Sequence, residues 1–71
     1  MSIDFLEVIY RMYEKYSKIR DELGLTDYQV AKITGISRSM FSDWKRGKSK
    51  PKADKLKLIS KVLEVKIEDI C

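Results

Sequence analysis

Two short helical segments joined by one tight turn constrain the fold of this chain more than any other feature. Thr26 and Gln29 have the spacing of a capping box, in which each side chain satisfies the other residue's backbone N–H and a helix begins. Gly35 ends that helix, because glycine adopts the left-handed C-cap conformation without a steric penalty from a Cβ atom. Ser37 is placed to cap a second helix over residues 38–46. Start and stop signals this close together predict two helices that meet at a turn.

The side chains of this helix pair divide into a buried face and a polar face. Ala31 is small enough for the two backbones to cross closely, and Ile36, Phe41 and Trp44 can anchor the second helix to a core. The opposite face of the second helix carries polar residues, most of them short: Arg38, Ser39, Ser42, Asp43 and Arg46. A helix held from behind with a polar front is the arrangement by which small proteins place a helix in the major groove of DNA.

The remaining sequence predicts further helices and no strands. Residues 3–23 lack glycine and proline, and their apolar residues recur every three or four positions, which predicts one long helix. The same period continues over residues 53–64, and residues 67–71 can form one last turn. Because 71 residues suffice for a single small core, we expect one all-α domain of five helices over residues 1–71. Its expected elements are a first helix at about 3–23, a helix-turn-helix at about 26–47, and a fourth and a fifth helix at about 53–70.

A second apolar stripe runs along the first half of the long helix and consists of Ile3, Leu6, Tyr10 and Tyr13. A domain of this size can hardly bury both stripes of one helix. Either these residues pack against the C-terminal helix of the same chain, or they form a self-association surface. A second candidate surface for a dimer consists of the C-terminal residues Val65, Ile67 and Ile70.

Positive charge is concentrated in one part of the chain. Residues 38–57 carry eight basic and two acidic side chains, although the whole chain has a net charge of only +4. A basic segment beside the predicted helix pair suits the phosphate backbone of a nucleic acid. The alternative is a lysine-rich loop that is merely solvated.

The residue inventory argues against several classes of function. There is no histidine and one cysteine, Cys71, so a zinc site or a nucleophile paired with histidine has no residues to use. We expect no enzyme activity, no metal or other cofactor and no small-molecule ligand. No apolar run approaches the roughly 20 residues of a membrane span, and a lone thiol fits a reducing cytoplasm.

Most of the chain, roughly residues 15–70, resembles the Cro/repressor-type (XRE) helix-turn-helix family of phage repressors and bacterial regulators. The runs that carry the resemblance are Val30-Ala31, Gly35-Ile36-Ser37, Phe41-Ser42-Asp43-Trp44 and the basic segment from Lys45 to Pro51. The apolar series from Leu56 to Ile70 resembles the fourth helix and the closing turn of the family. The resemblance implies a compact lambda-repressor-like fold of five helices, here with a first helix longer than the family needs.

The resemblance also implies roles in binding double-stranded DNA. Base edges would be read by Arg38, Ser39, Ser42, Asp43 and Arg46. Phosphates would be bound by Tyr28, Gln29, Ser37, Lys45, Lys48, Ser49 and Lys50. Arg38 is the strongest candidate for a base contact, because arginine can pair with O6 and N7 of guanine at once. Asp43 either accepts a hydrogen bond from a cytosine amino group or holds Arg38 or Arg46 in place, and the second role is favoured.

Three residues depart from the family pattern. Asp27 stands where many relatives carry a glutamine that binds a phosphate, and a carboxylate there would repel that phosphate. Glu64 replaces the usual glycine after the fourth helix, where a left-handed residue other than glycine costs about 1 kcal/mol. Lys66 replaces the usual serine or threonine cap, which predicts a weak last helix.

These expectations combine into a cytoplasmic transcriptional regulator that binds double-stranded DNA in a sequence-specific way. One recognition helix reads only a few base pairs, so we expect a homodimer on a near-palindromic operator with half-sites roughly 34 Å apart. Dimerisation would come from one of the two apolar surfaces or from the DNA itself, and repression is favoured over activation. The alternative is a protein-interaction module, of the antitoxin or adaptor type, that keeps the helix-turn-helix shell and binds a partner with its long first helix.

Overall fold

Four α-helices and one short 3-10 turn make up the part of the chain that the computed structural model describes, residues 5–70. In chain order these are α1 (Phe5–Glu22), α2 (Asp27–Thr34), α3 (Arg38–Lys45), α4 (Ala53–Leu63) and the 3-10 turn (Ile67–Asp69). The helix α1 packs on α3, α4 packs on α2, and the 3-10 turn closes on α4. No strand occurs within this range, so the expected all-α class is confirmed. The expected count of five helices is not, because the last one is reduced to the 3-10 turn.

The 3-10 turn is short because its start is poorly capped. Lys66 precedes it and has no side-chain acceptor for the free backbone N–H groups of a helix start. Asp69 compensates in part by accepting a hydrogen bond from the backbone N–H of Lys66 at 3.1 Å. Ile70 follows the turn and is fully buried, so apolar packing holds this segment in place where capping does not.

An aromatic cluster at the centre of the core joins α1 to α3. Trp44 of α3 is 0% exposed and stacks on Tyr16 of α1, with ring centroids 4.9 Å apart. Tyr13 meets the same indole edge-on at 5.5 Å, and Phe41 lies against Tyr16 at 5.7 Å. Burying one large apolar side chain contributes roughly 1.5–3 kcal/mol, and well-oriented ring pairs add to that. The predicted role of Trp44 as an anchor of the second helix is confirmed.

The predicted caps form at the start of α2 and on both sides of the turn between α2 and α3. Thr26 and Gln29 form the capping box, with the Thr26 N–H donating to Gln29 Oε1 at 2.9 Å and the Gln29 N–H donating to Thr26 Oγ1 at 3.2 Å. Gly35 has a φ of 77°, and its N–H donates back into the last turn of α2. The Ser37 hydroxyl oxygen then accepts from the Met40 N–H at 3.3 Å and begins α3. The bonds of Gly35 and Ser37 lie at the turn itself and define how α3 follows α2.

A close approach between α1 and the end of α3 requires glycine at position 47. Gly47 is buried and has a φ of 75°. A Cβ atom there would lie 2.8 Å from the Leu6 side chain and 3.0 Å from the Leu6 carbonyl oxygen. Gly47 therefore follows α3 as predicted and also lets the first turn of α1 pack over that end.

The second apolar stripe of α1 is divided between core and surface. Tyr13 is only 6% exposed, and Ile70 at the C-terminal end is fully buried. Both residues were expected at a dimer interface, and this part of the expectation is corrected, because each side chain is already covered within one copy. Leu6 and Tyr10 remain exposed, at 56% and 47%. Ile3 lies outside the described residues.

Candidate nucleic-acid interface

The polar side chains of α3 lie opposite its aromatic anchors. Phe41 and Trp44 point into the core and hold the helix from behind. The five residues expected to read bases lie on the outward side, four of them exposed and Asp43 half-buried: Arg38, Ser39, Ser42, Asp43 and Arg46. The fold therefore brings all five to one helix and its C-cap.

The residues expected to bind phosphates are all exposed, and they fall into two groups. The first group, near the N-terminal ends of α2 and α3, consists of Tyr28, Gln29 and Ser37. The second group, at the C-terminal end of α3 and in the loop after it, consists of Lys45, Lys48, Ser49 and Lys50. Gln29 and Ser37 use side-chain oxygens to cap their helices, which leaves the amide N–H donors and the hydroxyl hydrogen for a phosphate oxygen.

Asp43 contributes to the local structure through its backbone. Its carbonyl oxygen accepts a hydrogen bond from the Lys48 N–H at 2.8 Å, which ties the basic loop to α3. The favoured pairing of its carboxylate with Arg38 or Arg46 is not present among residues 5–70. The N–H donors of the two arginines are therefore not occupied by the Asp43 carboxylate.

Arg38 contacts an aromatic side chain instead. Its guanidinium carbon lies 5.1 Å from the centre of the Tyr28 ring, which is a cation–π distance. Both side chains line an open cleft of about 310 Å³ between α2 and α3, together with Ala31, Gly35 and Ile36. The first residue of α3 thus lies over the ring of a residue of α2.

Asp27, the first residue of α2, is the centre of a hydrogen-bond network with α1. Its carboxylate accepts hydrogen bonds from the hydroxyl of Tyr13 at 2.6 Å, the hydroxyl of Tyr16 at 2.7 Å and the guanidinium of Arg20 at 2.6 Å. Arg20 also donates to Asp21 at 2.7 Å. Because Arg20 neutralises the Asp27 carboxylate, we expect Asp27 to repel a phosphate less strongly than an unpaired carboxylate would.

The network shifts the pKa values of its members. Burial by itself raises the pKa of Asp27, but the hydrogen bonds from Tyr13, Tyr16 and Arg20 outweigh it and hold that pKa below its usual range. Burial, followed by the hydrogen bond to Asp27, raises the pKa of Tyr13 to about 12 and also raises that of Tyr16. The folded chain therefore favours an ionised Asp27 beside two neutral tyrosines.

Sequence reasoning assigned the tyrosines of α1 to the core or to an interface and missed this network. A signal was present, because Tyr13, Tyr16 and Arg20 are spaced three and four residues apart and so share one face of a helix. The sequence does not show that Asp27, the first residue of α2, lies against that face of α1. The network joins residues up to 14 positions apart, so it depends on the tertiary fold.

The described residues also bear on two other classes of site. No helix among them is long and apolar enough to cross a membrane. Residues 5–70 also hold no group of acidic, histidine or cysteine side chains arranged to bind a metal ion. Cys71 lies outside this range.

Comparison with protein families and curated proteins gives two matches. A family model described as helix-turn-helix matches residues 17–70. The HTH-type transcriptional activator BcrR of Enterococcus faecalis is 37% identical to this chain over 57 residues, which are 80% of this chain and 28% of that protein. The chain therefore spans little more than a quarter of the length of this relative.

Solved structures with a similar fold include two controller proteins. The restriction-modification controller protein C.AhdI from Aeromonas hydrophila matches with a TM-score of 0.80 over 89% of this chain and 96% of that chain, at 16% identity. A mutant of the restriction-modification controller protein C.Esp1396I matches with a TM-score of 0.72 over 93% of this chain and 80% of that chain, at 29% identity. The four helices and the closing turn therefore form an arrangement that other proteins share.

Proposed function

Because this chain belongs to the XRE-type helix-turn-helix family of DNA-binding transcriptional regulators, we propose that it binds specific double-stranded sites with α3 in the major groove. The observation that carries the proposal is the division of α3 into a buried aromatic face and an exposed polar face. Phe41 and Trp44 prevent the helix from turning on its axis, so the polar face keeps one orientation. The basic loop that follows lies at the end of the same helix and suits phosphates on either side of a groove.

In this proposal the outward residues of α3 read the bases. Arg38 is the first residue of the helix, and the N-terminal residues of a recognition helix reach base edges most directly. It donates to guanine O6 and N7, the pairing that suits a guanidinium best. The neighbouring base pairs are contacted by Ser39, Ser42, Asp43 and Arg46.

Two groups of residues bind the phosphates on either side of the reading helix. Tyr28, Gln29 and Ser37 hold one strand near the starts of α2 and α3. The other group holds the opposite side of the groove and consists of Lys45, Lys48, Ser49 and Lys50. Such contacts fix the register of a protein on DNA, whereas the base contacts provide its specificity.

We further propose that the protein acts as a homodimer on a near-palindromic operator. Two copies related by a two-fold axis would place their α3 helices in successive major grooves, roughly 34 Å apart. The candidate interface residues that remain accessible are Leu6 and Tyr10, which are exposed one turn apart on α1, and Val65 and Ile67, which are half-buried. A regulator of this kind works in the cytoplasm, where bacterial and phage operators are found.

We propose repression as the direction of control. A bound dimer blocks its operator by occupancy alone, whereas activation needs a further contact with the transcription machinery. The relative BcrR is named an activator, but this chain spans only 28% of it, so its direction of control does not transfer. Transcription in vitro from a promoter that overlaps the operator decides the point: added protein should lower the transcript, and an increase would reverse the assignment.

DNA binding itself is tested by fluorescence anisotropy. A labelled random-sequence duplex is titrated with the protein at about 50 and about 200 mM salt, and the operator is then selected from the same pool. We expect affinity to fall by roughly 10³-fold or more between the two salts if six or more phosphates are contacted. No binding at the lower salt would overturn the proposal and favour a protein partner for α1.

Single alanine variants separate a reading helix from general positive charge. Arg38→Ala and Arg46→Ala should each lose about 1–3 kcal/mol of binding free energy on the selected operator, with no change in melting temperature. Arg11→Ala is the matched control, because Arg11 is exposed on α1 and, within residues 5–70, forms its ion pair with Glu7 at 2.9 Å. An equal loss in Arg11→Ala would show that total charge, and not α3, determines the affinity.

A further inference from the structure

The contact between Tyr28 and Arg38 joins the two helices of the motif at the point where base reading is proposed. Tyr28 belongs to α2, and 54% of its surface is exposed. Arg38 belongs to α3, and its guanidinium lies over the ring at 5.1 Å. The Tyr28 side chain is therefore not needed to fill the core, and its ring contacts the residue that the proposed function places against a base.

We propose that Tyr28 is a positioning residue for Arg38. The Tyr28 ring holds the Arg38 guanidinium in place and thereby sets the specificity of the base contact. The inference rests on the proposed function, because it presupposes that Arg38 reads a base. It differs from the phosphate contact proposed for the Tyr28 hydroxyl, since the ring and the hydroxyl are separate parts of the side chain. The two roles can therefore be removed one at a time.

A stacked ring holds an arginine without using its hydrogen-bond donors. The guanidinium group is planar and directs its five N–H donors outward in that plane. An aromatic ring against the flat face restricts the long side chain and leaves the edge free for O6 and N7 of guanine. A carboxylate partner would occupy those donors instead, and Asp43 forms no such pair with Arg38 within the described residues.

The surroundings of Arg38 offer few other restraints. The cleft beside it, about 310 Å³ in volume, is lined by the small or apolar residues Ala31, Gly35 and Ile36 and by Lys32. Lys32 is a cation like Arg38, so the lining provides no oppositely charged partner for the guanidinium. Arg38 is exposed and is the first residue of its helix, where side chains have few neighbours of their own. Without the Tyr28 ring the guanidinium would sample orientations that fit other bases, so the loss would appear in discrimination more than in total affinity.

The experiment compares Tyr28→Phe with Tyr28→Leu on the selected operator. Dissociation constants are measured for that operator and for variants in which the guanine read by Arg38 is replaced by each other base. Tyr28→Phe keeps the ring and removes the hydroxyl, so we expect it to keep the preference for guanine while weakening all sequences alike. Tyr28→Leu should reduce the preference by about two- to fivefold, the range expected for an exposed cation–π contact.

A double-mutant cycle completes the test. In the Arg38→Ala background, Tyr28→Leu should have no further effect on the preference for guanine, because the ring acts through the arginine. Equal losses of preference in Tyr28→Phe and Tyr28→Leu, or an unchanged preference in Tyr28→Leu, would overturn the inference. Failure of the wild-type protein to bind any duplex would instead overturn the proposed function, so the two failures are distinguishable. Circular dichroism melts confirm that each variant is folded.

Discussion

Glu64 holds the backbone conformation that ends α4, and it does so against the steric preference of its own Cβ atom. Its φ is 57°, and it is the only residue other than glycine with a positive φ within residues 5–70. The turn it forms lets the next residue, Val65, donate its N–H to the carbonyl of Ser60 at 3.0 Å, which closes the helix. The sequence already predicts that α4 ends at this position, because the helical spacing of its apolar residues stops here, although no glycine follows.

Replacing Glu64 with glycine should stabilise the protein. Glycine adopts the left-handed conformation without strain, but it also has more conformational freedom in the unfolded chain, which offsets part of the gain. The net increase in the free energy of unfolding is about 1 kcal/mol. For a domain of this size we expect the melting temperature to rise by about 4–8 °C in a circular dichroism melt. Glu68→Gly is the control, because Glu68 is exposed and has no positive φ. A gain in both variants, or in neither, would contradict the assignment of strain to Glu64.

At the scale of the helices, the network around Asp27 joins the start of α2 to α1. The caps that start α2 and α3 depend on residues three apart, so they could be predicted from the sequence and are confirmed. The network could not be predicted in this way, because Tyr13 and Asp27 come together only after α1 and α2 have packed. The predicted fifth helix shows the opposite error: the apolar period near Ile67 is real, but Lys66 gives the segment no N-cap.

Asp27→Asn should destabilise the fold, whereas Asp21→Asn should not. Asparagine keeps one acceptor but loses the charge that two tyrosine hydroxyls and Arg20 share, and hydrogen bonds to charged groups are worth about 1.5–3 kcal/mol. Asp21 also accepts from Arg20, but its side chain is 67% exposed, and such surface pairs contribute about 0–1 kcal/mol. Urea titrations at neutral pH would compare the two variants. Similar losses in both would show that the effect does not belong to the network.

The same network predicts how stability depends on pH. The pKa of Asp27 is lowered on folding from its ordinary value of 3.8, so its stabilisation is complete above that pH and is lost as the pH falls through the folded value. The pKa of Tyr13 is raised from 10.0 to about 12, so its stabilisation is complete below pH 10.0 and is lost as the pH rises toward about 12. Melts across this pH range should show both losses in the wild type, and a smaller loss in acid for Asp27→Asn. An identical acid dependence in the two proteins would place the responsible group elsewhere.

For the whole molecule, the proposed function uses two neighbouring surfaces. Residues 38–57 carry eight basic side chains, most of them exposed, whereas the exposed apolar pair Leu6 and Tyr10 lies on α1, where Leu6 approaches Gly47 after the end of α3. The charge block and the polar face of α3 could be recognised from the sequence, because both depend on local order. The division of the second apolar stripe of α1 could not be recognised from the sequence, since only the packed core shows that Tyr13 is covered and Tyr10 is not.

The exposed apolar residues of α1 are one candidate surface by which two copies associate. Leu6→Glu combined with Tyr10→Glu places like charges opposite each other in a two-fold contact, so a dimer that uses this surface should fall to the monomer mass of 8.3 kDa in light scattering. Operator affinity should fall with it, because each copy alone reads one half-site. Leu23→Glu, at an equally exposed residue beyond the other end of α1, should leave both mass and affinity unchanged. Tyr10→Glu alone serves as a second variant, because Leu6 also lies close to Gly47 and its replacement can disturb the fold.

The outcomes of this experiment separate the three possible routes to a dimer. If the double variant on α1 keeps the dimer mass, the same measurement on Val65→Glu combined with Ile67→Glu tests the half-buried C-terminal surface. If the wild type is a monomer in free solution but two copies bind one operator with half-sites roughly 34 Å apart, the DNA itself brings them together. A wild type that binds the operator only as a single copy would overturn the homodimer proposal, because one α3 helix would then account for all of the specificity.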